Sequence, residues 1–287
     1  MITETSSYLD YFRNESMSDD AFMGRTHALS AVAVILAVFA FIPSLYDKLA
    51  PNANDSMIVL ILICLVAAGG ALLPDLDNSQ SSAESQLGII GSMLSAFMRA
   101  TAPIIKTAVH TKYDKNLDNP HRSFYHTAVS AVLIGALFTF LCSPVISFKL
   151  GPIECNGRTM ALVLAFAATD MALSTIIGAI WKSKKTVDTI VSLAMSFGIA
   201  WFLLESMPTG ISYTIVGIAT GVGYIIHIAG DCMTVSGTPL LFPLKIHGKF
   251  WYDIRFLKIQ AGGVVENFVF MPLFIIIIVI SLIAILL

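Results

Sequence analysis

A chain of 287 residues that is 56% hydrophobic and only 13% charged is not an ordinary soluble domain, which carries about 25% charged residues. Its mean hydropathy of +0.80 also excludes a disordered chain, because there is ample apolar surface to bury. The formal net charge of −2 says little as a total, and no direct nucleic-acid binding is expected.

Residues 1–25 are polar and acidic, with Glu4, Asp10, Glu15, Asp19 and Asp20. A cleavable signal peptide needs a basic start and an apolar stretch there; neither occurs, so the first span is expected to act as its own insertion signal. A spanning helix needs about 20 mostly apolar residues. The runs at 27–46, 57–74, 124–147, 159–181, 187–207, 211–230 and 264–287 qualify. Between the second and third lies a long connection, whose apolar stretch 87–110 is interrupted by Ser, Arg and Pro103 and reads as an interfacial or re-entrant amphipathic helix. The polar-aromatic stretch 232–263 belongs at headgroup level. The four cysteines, Cys64, Cys142, Cys155 and Cys232, make no C-x-x-C pair and imply neither a disulfide framework nor a zinc ribbon. The expectation is an all-α polytopic bundle of about seven spans. It has a polar cytoplasmic N-terminus (1–25) and a single membrane-embedded domain (26–287).

Seven alternating spans place 14 of the 17 basic residues on the side where span one begins, leaving Lys48, Lys149 and Arg158 on the other. That asymmetry makes the first side the cytoplasm.

All six histidines fall on the same side. His27 opens span one, with Thr26 placed to cap it. Span two runs into Leu72-Leu73-Pro74-Asp75-Leu76-Asp77; were the chain extended after Pro74, both carboxylates would face one way. Span three is entered through His121-Arg122-Ser123-Phe124-Tyr125-His126. The two histidines would diverge on a regular helix, so Ser123 is read as an N-cap, with His121 before it and His126 in the first turn. On span six His227 and Asp231 are i,i+4, about 40° apart around the axis. A lone histidine at a helix end is ordinarily an interfacial residue. Four fragments at one membrane depth suggest a shared metal site instead, and mixed His/Asp ligands suit one or two ions of Zn²⁺, Mn²⁺ or Fe²⁺.

Further along, Asp170 lies mid-span in a run of small residues. It is either functional or a hydrogen-bonded packing group. Glu205 reads as interfacial. Gly69-Gly70 and Gly217-x-x-x-Gly221 let helices approach closely within the chain.

Taken together, T-H at the first span, L-L-P-D-x-D after the second, H-R-x-x-x-H at the third and H-x-x-x-D-x-x-x-x-x-G-x-P-L-L-x-P resemble the YdjM-type family. Its members are bacterial inner-membrane proteins described as metal-dependent hydrolases and as LexA-binding, distantly similar to zinc-dependent phospholipase C proteins. The resemblance runs from about Gly24 to Pro243 and continues to the Gly262-Gly263 pair before Glu266. It departs at Pro120, where a polar residue is expected. It implies a metal shell of His27, Asp75, Asp77, His121, His126, His227 and Asp231. Arg122 is then a phosphate clamp or an ordinary headgroup-facing arginine. Glu266 is a general base, a group steadying a ligand, or a helix cap. The implied substrate is a membrane lipid or other amphiphilic phosphoester, and a LexA-like partner follows from the resemblance alone. A transporter and a non-enzymatic anchor are the rival readings. No inverted repeat supports the first, and the second has no need of seven aligned ligands.

Overall fold

The computed structural model describes residues 24–48, 53–78, 88–114, 122–180 and 185–287. In chain order the helices are α1 (Gly24–Phe41), α2 (Pro43–Asp47), α3 (Ala53–Gly70), α4 (Gly88–Ala108), α5 (Ala128–Leu141), α6 (Gly157–Ile180), α7 (Lys185–Glu205), α8 (Thr214–Asp231) and α9 (Met271–Leu286). Short 3-10 turns at Pro74–Asp77 and Phe124–His126 follow α3 and precede α5, and a π turn at Glu266–Phe270 leads into α9.

Most of these helices are apolar around their whole circumference, and what they bury is decided by position in the bundle. At the centre, α3 touches α1, α6 and α8, while α8 also meets α5 and α1. Helices pack this closely where side chains vanish. A Cβ on Gly223 would overlap the carbonyl of Ala67, and one on Gly217 would overlap the backbone of Thr139. The glycine pairs are therefore contacts within the chain. On the outside, Leu133 and Phe140 of α5, Phe197 and Phe202 of α7, and Ile276 and Ile280 of α9 stand exposed. Soluble proteins rarely expose so much contiguous apolar surface; a bilayer solvates it, and helices leave no backbone group unsatisfied there.

Four helical segments among the described residues are long and apolar enough to cross a membrane: Gly24–Phe41, Asp55–Asp77, Thr214–Asp231 and Glu266–Leu286. Hydropathy along the sequence alone gives seven runs. The 124–147 run yields a helix only over Ala128–Leu141, because Thr127 accepts the N–H of Ser130 as a late cap and the chain leaves the helix at Cys142. The 187–207 run yields a shorter apolar helix, Thr189–Glu205. Nor is α6 among the four, and it carries Arg158, Thr169, Asp170 and Ser174.

The other departure from an all-α chain is an antiparallel hairpin, Ser147–Leu150 with Ile153–Asn156. Gly151 turns it with φ 61°, a conformation glycine adopts without steric cost. Glu205 pairs with Arg158 at the surface, joining the start of α6 to the end of α7. All four cysteines are free.

Candidate metal centre

Four segments deliver their polar groups to one place. His27 sits in the first turns of α1 and His227 and Asp231 end α8, while Asp75 and Asp77 lie in the turn after α3 and His126 in the turn before α5. His27, His126, His227 and Asp231 are fully buried.

Asp231 is the hub. Its carboxylate lies 3.4 Å from His27 Nε2, 2.9 Å from His126 Nδ1 and 3.3 Å from His227 Nε2. His126 Nε2 is 3.5 Å from Asp77, and His227 Nε2 is 3.6 Å from Asp75. The rings of His27 and His227 stack with centroids 3.9 Å apart. Two overlapping sets of potential ligand atoms result, His27/His227/Asp231 and Asp75/His126/His227, each with all its atoms within 4.8 Å of one another.

The donor chemistry fits a divalent transition metal. Nδ1 of His227 donates to the carbonyl of Ala71 at 2.7 Å, so in the neutral imidazole the Nε2 lone pair points inward. Nε2 has no hydrogen-bond partner among the described residues, yet it faces two carboxylates. A lone pair against a carboxylate is repulsive, and a proton or a metal ion between them relieves it. Holding a ligand imidazole by a backbone carbonyl on its other nitrogen is the usual metal-site arrangement. Three carboxylates gathered among buried imidazoles also call for positive charge. The side chain of Asp75, 14% exposed, marks the side from which the cluster is reached.

The local backbone differs from the sequence expectation in three places. Pro74–Asp77 is a 3-10 turn, not an extended strand. Proline opens it at no cost because its missing N–H would have had no partner. The two aspartates make their shortest contacts with different imidazoles, Asp75 with His227 and Asp77 with His126. Thr26 lies within α1 and does not cap it; its hydroxyl donates to Glu266. Ser123 makes no side-chain cap, so His126 sits in a 3-10 turn and Thr127 caps α5. His121 lies outside the described residues.

Arg122 adopts a left-handed backbone, φ 56°. Such a conformation is unusual for a residue other than glycine, and here it turns the guanidinium inward, 3.5 Å from Asp231 and donating to Thr234 at 3.2 Å. Glu266 is buried and is not among the clustered ligand atoms. Its oxygens accept from Thr26 and, at 2.6 Å, from the N–H of Gly262, so it clamps the start of α1 to the base of the terminal helix.

Several supporting groups carried no signal in the sequence. Buried Tyr224, one turn before His227, donates to the carbonyl of Tyr125 at 2.6 Å and holds the turn that presents His126. Ser95 of α4 donates to the carbonyl of Leu76, holding the aspartate turn from above. Ala71 and Thr234 likewise show no pattern. Asp170 remains apart from the cluster and accepts hydroxyls from α7.

No curated protein and no solved structure matches the chain. A family model does, over residues 22–286, and its description is the YdjM inner membrane protein. With the motifs spread across that match and their side chains gathered at one buried cluster, the chain belongs to the YdjM inner membrane protein family.

Proposed function

We propose that this chain is a membrane-embedded metal-dependent hydrolase that cleaves a phosphoester of a lipid or similar amphiphile at the cytoplasmic face of the inner membrane. The observation that carries this reading is the convergence of His27, Asp75, Asp77, His126, His227 and Asp231, with His227 Nε2 aimed between two carboxylates. Zn²⁺ suits that donor set, as do Mn²⁺ and Fe²⁺, with one or two ions. When bound, such an ion supplies Lewis acidity and lowers the pKa of a coordinated water.

The protein's own groups do the rest. Ala71 and Tyr224 hold His227 and His126 in place. Asp75 forms the exposed edge at which a substrate meets the cluster. Arg122 spends contacts on Asp231 and Thr234, and a guanidinium has five N–H donors, leaving some for a phosphate oxygen. Glu266 acts as a positioning residue for the turn that carries His27.

Depth and orientation support an amphiphilic substrate. Helix α4 buries Ser95, Met98 and Ala102 towards the site and exposes Met93, Phe97 and Ile104, a two-faced pattern suited to lying in the interface. With α5, α6 and α7 crossing alongside the four long apolar helices, the asymmetry of basic residues supports an N-terminus and metal cluster on the cytoplasmic side.

Elemental analysis of purified protein, alongside release of headgroup or phosphate from a panel of lipid phosphoesters, tests both parts. We expect bound transition metal in wild type, strongly reduced in His227→Ala and Asp231→Ala, and hydrolysis that follows metal content. Metal-free wild type after metal-replete preparation would overturn the site. Metal-loaded protein that cleaves no phosphoester would overturn the hydrolase.

A further inference from the structure

Asp170 is buried in α6, away from the metal cluster. Ser192 and Ser196, one turn apart on α7, both donate to its Oδ1, at 2.7 and 3.2 Å. Its other oxygen, Oδ2, is buried without a hydrogen-bond partner among the described residues, and so is the hydroxyl of adjacent Thr169. Among the described residues no cationic side chain acts on this carboxylate.

A buried carboxylate with nothing opposing its charge is costly. Either a proton or a cation must neutralise it. A proton on Oδ2 would need an acceptor, and no hydrogen-bond partner among the described residues reaches that oxygen. A cation takes the Oδ2 lone pairs directly, and hydroxyls can donate to Oδ1 while offering their own lone pairs to the ion.

We propose that Asp170, Ser192 and Ser196 form a binding site for a monovalent cation, with Na⁺ the best match. The available groups are all oxygens, the ligands of hard cations. Charge selects the valence: one carboxylate balances one positive charge, whereas a divalent ion would leave a net charge buried in the bundle. The bound ion locks α6 to α7 and is independent of the divalent centre.

Thermal unfolding of the detergent-solubilised protein is the test, in NaCl, KCl or choline chloride at equal ionic strength, with chelator present to silence the divalent site. Wild type should show a saturable rise in Tm with Na⁺ of about 5 °C or more at large excess over Kd. The rise should vanish in Asp170→Asn and move to higher Na⁺ in Ser192→Ala/Ser196→Ala; the serine variant carries the test should Asp170→Asn fail to fold. A Tm that follows ionic strength whatever the cation would overturn the site. So would a Na⁺ response retained in Asp170→Asn. An Asp170→Asn protein equal to wild type in every salt would identify a protonated carboxyl and overturn it as well.

Discussion

At the scale of single residues, the candidate centre rests on pairs in which one member shows its chemistry in the sequence and the other does not. His227 was legible through its i,i+4 relation to Asp231, but the carbonyl of Ala71 that orients it was not, since every residue has a carbonyl. Tyr224→Phe removes only the hydroxyl that holds the Tyr125 carbonyl. It should cost about 1 kcal/mol of stability and about tenfold in metal affinity, the first read by thermal unfolding and the second by competition with a chelator. Unchanged affinity would show that the turn carrying His126 is held by other contacts. Thr26→Val strips a donor from buried Glu266. A destabilisation of about 1–3 kcal/mol is expected, with metal still bound, because His27 itself remains.

Among the elements, close helix packing and one anchored loop give separate predictions. Gly223→Ala drives a methyl into the Ala67 carbonyl on α3. Backbone cannot yield as a side-chain tip can, so a loss of about 1–3 kcal/mol is expected in unfolding measurements. Pro152→Ala in the exposed hairpin turn is the matched control, with little effect expected. The stretch after α8 is tied down by Asp114, whose carboxylate accepts from the backbone N–H groups of Trp251 (2.9 Å), Thr111 (2.7 Å) and Phe250 (3.4 Å), and from the Thr111 hydroxyl (2.9 Å). Burial alone would raise the pKa of this group, but those four donors outweigh it and hold Asp114 below the usual carboxylate range. A carboxylate depressed in the folded state stabilises above its unfolded pKa of about 3.9, and the benefit is lost as pH falls through the lower folded value. Limited proteolysis within 232–263 should therefore be slow at neutral pH and accelerate below about pH 4. Asp114→Asn should be cleaved faster at neutral pH and respond less to acid. Equal cleavage of the two proteins at neutral pH would remove Asp114 as the anchor.

For the molecule as a whole, the asymmetry of basic residues predicts sidedness. In a background lacking the four native cysteines, Cys placed at Pro152 should label from outside intact cells. Cys at Lys258 should label only after lysis; the reverse pattern would invert the protein. Membrane class and the ligand-bearing segments were readable from the chain because both depend on local composition and spacing: long apolar runs, His227 with Asp231 on one helical face, and scarce ionisable groups at run ends. The tertiary structure decided what local pattern could not. The 3-10 turn at Pro74–Asp77 sends Asp75 and Asp77 to different imidazoles. The 124–147 run breaks into a turn and a short helix before a hairpin begins at Ser147, and Glu266 clamps Thr26 across 240 positions of sequence. The physical reason is common to all three. A hydrophobic run reports that a segment must leave water, but where its ends stop and which way its polar groups turn is settled by hydrogen-bond partners on other segments, which only the folded bundle brings within reach.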